Sequence, residues 1–295
     1  MYKSIQISNF SYVPYIAVRE VRAYKEKIDS AYLEPLKAYL LDDSNEIFSA
    51  DRIQEKLFPT IKDNDIFLSH AHKDEDDVIK LAIYLEKYGL NVFVDSLVWG
   101  NARDLLKAID TKYCWQKSSK TYNYHQRNHT TANVYMILNT ALHKMIDQSE
   151  LFLFLGSETA VKVKDVINNS NKESVRSPWI YSELMFANQV QRRQKIRFRD
   201  LHESKISAED NSQIVMDSAL VKPIQFDYNK PDLDYSLSQY NFKIWLNAFP
   251  DNYTDYSRES FIPDIEDLRK IQAGKLLDSL YKEVENSGNA RQYKR

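Results

Sequence analysis

Residues 61–96 read IKDNDIFLSHAHKDEDDVIKLAIYLEKYGLNVFVDS, and their pattern decides the fold class. Asp65-Ile66-Phe67-Leu68-Ser69 is a short apolar run closed by polar residues, the form of a parallel strand buried on both faces. After the loop His70–Lys73, a helix is expected from about Asp76, with Val78, Leu81, Ala82 and Leu85 on one face and Gly89 at its end. Asn91–Asp95 supplies a second strand. Together they form a βαβ unit, whose crossover is right-handed in nearly all proteins. The acids Asp74, Glu75, Asp76 and Asp77 oppose the macrodipole of a first helical turn. No matching ligands occur elsewhere, so they do not read as a metal site.

Downstream lies a polar, Tyr-rich insertion at about 111–131. It holds His125 and His129, but neither a cysteine pair nor a carboxylate stands at ligand spacing, so zinc is not expected. Thr131 can cap a helix whose apolar stripe is Val134, Leu138, Ala141, Leu142 and Met145. That helix feeds the all-apolar run Leu151–Leu155, typical of a central strand, which Gly156 and Ser157 end. A polar loop containing NNSNKES follows, to about Arg176. Ser177 then suits an N-cap and Pro178 the first helical position, so a helix should begin there. Trp179 and Glu183 fall on one face of it, one turn apart. The run QVQRRQKIRFR reads as solvated charge beyond its C-terminus, and 200–218 as a polar connection. Ala219–Phe226 is expected as a last strand, at an edge because of Pro223. Helical patterns recur at about 236–248 and 263–285.

The opening segment alternates and is rich in tyrosine, and Val18–Leu41 has helical periodicity. The chain therefore divides into a mostly helical N-terminal extension (1–60), a main domain (61–230) and a helical C-terminal extension (231–295). Forty Lys+Arg against 42 Asp+Glu leave a net charge of -2, which asks for no nucleic-acid partner. The single cysteine, Cys114, excludes an internal disulfide and suits a reducing compartment. No run approaches the roughly 18 apolar residues that span a bilayer, and no signal peptide is visible. A cytoplasmic protein with no membrane partner is expected.

The order DIFLSH, helix, NVFVD, helix, LFLFLGS and then SPWIYSEL resembles the TIR (Toll/interleukin-1 receptor) domain over about residues 63–226. Three pieces carry the likeness: an aspartate-led strand ending in Ser69-His70, a strand ending in Phe93-Val94-Asp95, and a Trp with a Glu four residues later. The last looks like the family's S-x-W-C-x-x-E-L pattern, with Ile180 in place of cysteine. The resemblance implies an α/β, flavodoxin-like fold with a central parallel sheet flanked by helices. It also sets Glu183 at the position of the catalytic glutamate of NAD-cleaving relatives, with NAD+ as substrate and no resident cofactor. Ligands of open parallel sheets bind beyond the carboxyl ends of the strands, which puts Ser69, His70 and His72 near the dinucleotide. Phe93 and Asp95 would border the same crevice. Some NAD-cleaving relatives carry arginines where this chain has Ala71 and His72, and Arg103 is the candidate for the phosphate contact they would supply. Trp179 either packs under the ribose or belongs to the core.

Cleaving the nicotinamide–ribose bond leaves an electron-poor, oxocarbenium-like sugar, which a neighbouring carboxylate stabilises. The resemblance accordingly implies an NAD+ nucleosidase or ADP-ribosyl cyclase. Its product would be an ADP-ribose-derived signalling nucleotide, linear, cyclic or conjugated, as in stand-alone bacterial TIR proteins of anti-phage (Thoeris-like) defence. A downstream effector would read that product. The alternative is a non-catalytic adaptor that self-associates through TIR surfaces. A third reading is another flavodoxin-like nucleoside-processing enzyme with a carboxylate nucleophile.

Overall fold

The computed structural model describes residues 1–29, 36–42, 47–58, 63–163, 173–194, 226–249 and 265–286. In chain order the elements are β1 (Lys3–Ser8), α1 (Val18–Asp29), the short pair β2 (Leu40–Asp42) and β3 (Ile47–Phe48), and α2 (Ala50–Leu57). There follow β4 (Ile66–Ser69), α3 (Glu75–Lys87), β5 (Val92–Val94), α4 (Trp99–Ile109) with a π turn at Asp110–Cys114, and the hairpin β6 (Trp115–Gln116) and β7 (Thr121–Tyr122). Next come α5 (Tyr124–Gln148), β8 (Leu151–Gly156), β9 (Val161–Val163), β10 (Glu173–Val175) and α6 (Pro178–Gln189). β11 (Tyr228–Asn229), β12 (Tyr235–Ser238), α7 (Gln239–Asn247) and α8 (Ile265–Asn286) complete the described chain.

The main sheet has five strands in the order β12-β1-β8-β4-β5, all parallel. From the β5 edge inward, the first three strands follow the order of a flavodoxin-like sheet, with the switch point between β4 and β8, and the fourth place is taken by the N-terminal β1. The chain is thus α/β with a central parallel sheet flanked by helices.

Alternation along the strands sorts the core into two faces. Ile5, Ile7, Ile66, Leu68, Val92, Val94, Leu151, Leu153 and Leu155 make an aliphatic face, covered by α3, α7 and α8. Phe67, Phe93, Phe152 and Phe154 make an aromatic face, covered by α4, α5 and α6. Phe67 meets Phe93 at 5.1 Å and Phe152 at 5.6 Å between ring centroids. The strand LFLFLG shows the rule plainly, with leucines to one side and phenylalanines to the other.

Several expectations need correction. The opening residues are not part of a helical extension: β1 is an inner strand of the main sheet, between β8 and β12. β12 likewise belongs to that sheet, so the main domain does not stop at 61 and 230. One aliphatic core runs from Ile5 to Val284. The physical cause is that β8 is buried with a partner on each side, and its second partner comes from the other end of the chain. The insertion at about 111–131 is shorter than its composition suggested, because α5 already begins at Tyr124. Its cap is Asn123, whose side chain accepts from Gln126 N at 3.0 Å, rather than Thr131. The basic run is paired where described: Arg192 grips Asp234 through two bonds of 2.8 Å, and Arg193 pairs with Asp147. The strand expected at Ala219–Phe226 lies outside the described residues apart from Phe226, as do the connection 200–218, residues 164–172 of the polar loop, and 195–199 of the basic run. No helix among the described residues is long and apolar enough to cross a membrane.

Candidate active site

α6 begins as its sequence requires. Ser177 Oγ accepts from Ile180 N at 3.3 Å, and Pro178 occupies the first helical turn. The buried side of the helix is Ile180, Leu184 and Ala187, packed with α5 against the aromatic face of the sheet. Glu183 falls within that same side, so apolar packing carries its carboxyl inward until it is only 1% exposed.

There it meets the carboxyl end of β4. Ser69 Oγ donates to Glu183 Oε2 at 2.6 Å. His70, next in the chain, and Asp95, at the end of β5, are 3% and 2% exposed beside it. His70 Nδ1 lies 2.7 Å from Asp95 Oδ1, an ion-pair contact without the alignment of a hydrogen bond. Asp95 Oδ1 also accepts from Ser96 N at 2.8 Å. Glu183 Oε1 and His70 Nε2 are buried without an aligned partner among the described residues, while the Glu183 side chain also faces the Asp95 carboxyl.

The charges of the cluster follow from that burial. Loss of solvent, and then the neighbouring Asp95 charge, push the Glu183 carboxyl well above the ordinary carboxylic-acid range. Burial alone would lower His70, but the opposing pull of Asp95, with help from Glu75 and Asp74, leaves its imidazole raised. Burial thus favours the neutral form of Glu183, while the contact with Asp95 favours the charged form of His70.

Other expected residues stand differently. Phe93 is buried against Phe67 and serves the core rather than an open crevice. Trp179 is half-buried and meets the Tyr135 ring edge-on, with centroids at 5.2 Å. His72 is exposed, with Nδ1 3.3 Å from Glu75 Oε2. Arg103 is exposed on α4. The structure thus brings Ser69, His70, Asp95 and Glu183 together and leaves His72 and Arg103 outside the cluster.

Two features carried no signal in the motif spacing. Asp74 accepts hydrogen bonds from Ser157 and Thr159, tying the loop after β4 to the loop after β8 across the switch point. On the neighbouring helix, His143 Nε2 meets Ser182 Oγ at 3.1 Å and its ring stacks on Phe186 at 4.3 Å, while burial lowers its pKa to about 4. Among the described residues no group of His, Cys, Asp and Glu is placed to hold a metal ion.

Comparison with known proteins returns no matching family model, no matching curated protein and no matching solved structure.

Proposed function

We propose that the chain is a TIR-type enzyme that cleaves NAD+ between nicotinamide and ribose, with Glu183 as the catalytic carboxyl. One observation carries the reading: Glu183, at the position that the motif resemblance assigns to chemistry, is hydrogen-bonded to Ser69 at the carboxyl end of β4. That end borders the switch point between β4 and β8, where doubly wound sheets bind nucleotides. Cleavage sends the electron pair of the C1′–N bond to nicotinamide, and the cationic sugar left behind is opposed by the carboxylate. Water then adds at C1′ and loses a proton, giving ADP-ribose. Attack by the adenine or another nucleophile gives a cyclic or conjugated signalling nucleotide, to be read by a separate effector in anti-phage defence.

Glu183 as it stands touches no solvent, so substrate reaches it only when the residues around it move apart. Opening restores water to the carboxyl, and a cationic nicotinamide riboside beside it favours ionisation. The same burial supports a second reading, a non-catalytic TIR adaptor in which the Ser69–Glu183 bond only holds the sheet end together.

Mass spectrometry of products formed from NAD+, with and without lysate of phage-infected cells, separates the two. The enzyme reading expects nicotinamide release by the native chain and none by Glu183→Gln. Equal release by that variant removes Glu183 from the mechanism.

A further inference from the structure

The register of β4 against β5 extends one step past the strands. Ile66, Phe67 and Leu68 stand beside Val92, Phe93 and Val94, so the next position sets Ser69 beside Asp95. Neighbouring strands lie about 4.8 Å apart and alternate residues share a face, so both side chains follow Phe67 and Phe93 onto the aromatic face that α6 covers. Ser69 Oγ meets Glu183 there at 2.6 Å, and Asp95 comes within hydrogen-bond reach of the same carboxyl. Two acids, 1% and 2% exposed, thus face each other at one strand end.

Two adjoining carboxylates shut away from water cannot both be charged, and such a pair settles by holding one proton between them. The fixed donors decide where that proton rests. Asp95 Oδ1 has the Ser96 N–H at 2.8 Å and His70 Nδ1 at 2.7 Å. Among the described residues, Glu183 Oε2 has the Ser69 hydroxyl and Oε1 has no aligned partner. The better-served carboxyl keeps the negative charge, so the proton sits on Glu183 and is donated to Asp95. That bond gives the Glu183 carboxyl a second partner without any further donor.

We propose that Glu183 and Asp95 share one proton and that Asp95, by holding or taking it, sets the charge of Glu183. Asp95 is then a positioning residue, and its chemical meaning rests on the reading of Glu183 as the group that opposes a cationic sugar. The step stays inside the pair: the Glu183 O–H bond breaks, an Asp95 O–H bond forms, and negative charge moves from the His70 side to the Glu183 side. A carboxyl with no contact to solvent can ionise in this way without releasing a proton to water. The surrounding charges are accounted for. His70 faces the pair from the end of β4, and Asp74 and Glu75 act on His70 from beyond it. Glu75 is met by Lys25 of α1 at 2.7 Å, and Asp74 by the Ser157 and Thr159 hydroxyls. On α5, His143 turns to Ser182 and Phe186 instead.

The experiment is infrared titration of the full chain, with ordinary and with isotopically labelled glutamate, read at the carbonyl band of protonated carboxyl groups. One such band is expected to persist at neutral pH, to move with the glutamate label and to be absent from Glu183→Gln. Asp95→Asn removes the like charge, so the midpoint of the band is expected to fall by about 1–3 pH units. An unchanged midpoint in that folded variant means that burial alone holds the proton and overturns the proposal, as does the absence of a persistent glutamate band. Where Asp95→Asn does not fold, the native band decides: a carboxyl that donates to an anion absorbs at lower frequency than one without a partner, and a band at the unpartnered position overturns the proposal. Nicotinamide release plays no part in this readout. A chain that cleaves no NAD+ therefore fails the enzyme reading visibly and separately from the shared proton.

Discussion

Ser69 and Glu183, 114 residues apart in the chain, are joined by a buried hydrogen bond of 2.6 Å between a strand end and a helix face. Asp95 also stands within hydrogen-bond reach of the Glu183 carboxyl, while Oε1 has no aligned partner among the described residues. Ser69→Ala removes the Ser69 donor from this buried carboxyl, at a cost of about 1–3 kcal/mol. Urea unfolding should show a lower midpoint with an unchanged slope. A midpoint equal to that of the native chain would mean that the bond does not form in solution.

Glu183 should contribute stability that falls as pH rises, against the opposite contributions of His143, lowered to about 4, and the N-terminal amine, lowered to about 6. The folded pKa of Glu183 is raised above its ordinary 4.5, so the folded state binds that proton more tightly than the unfolded state. The stabilisation is complete below 4.5 and is lost as pH climbs through the raised value. His70, raised above 6.5, acts in the same direction in a higher window. Glu183→Gln keeps a neutral side chain at every pH and should flatten the lower part of the profile. The check is urea unfolding at steps from about pH 5 to about pH 8, and identical profiles for the variant and the native chain would refute this assignment.

The first nine residues should be indispensable, although their position suggests a removable extension. β1 pairs with β8 from Lys3 to Ser8 and with β12 from Ile5 to Ser8, and it buries Ile5 and Ile7 completely. Deleting it exposes one long edge of β8 and removes two apolar side chains worth about 1.5–3 kcal/mol each. The truncated chain should lose its cooperative thermal transition by circular dichroism. A native-like transition would show that the sheet closes without β1.

Arg192 clamps the segment before β12 to β1. It makes two bonds to Asp234 and one to Ser4 Oγ, while Asp234 also accepts from Ser4 N. Arg192→Leu removes the guanidinium that pairs with Asp234, which is 8% exposed. Because Arg192 is itself partly exposed, the expected loss is about 1–3 kcal/mol rather than that of a fully buried pair. The double change Arg192→Leu with Asp234→Asn should recover part of it, measured by urea unfolding.

The strands DIFLSH, NVFVD and LFLFLGS, the helix between the first two, and the Ser177 start of α6 were legible in the sequence, because each is set by a local rule. Short apolar runs bounded by polar residues make buried strands, and a hydroxyl before a proline starts a helix. KSIQIS lacks the continuous apolar run of such a strand, so its alternation pointed to a peripheral position. Its place inside the sheet depends on which partner the open side of β8 recruits, and that partner is about 150 residues away.

The sequence by itself determined the α/β alternation, the two-faced strands and the acid one turn from Trp179. Only the tertiary structure decided that Glu183 is turned inward onto Ser69, that Asp95 stands beside it and pairs with His70, and that β1 and β12 complete the sheet. The reason is physical: helical spacing assigns a residue to a face, but solvent exclusion and charge state depend on what other parts of the chain bring against that face.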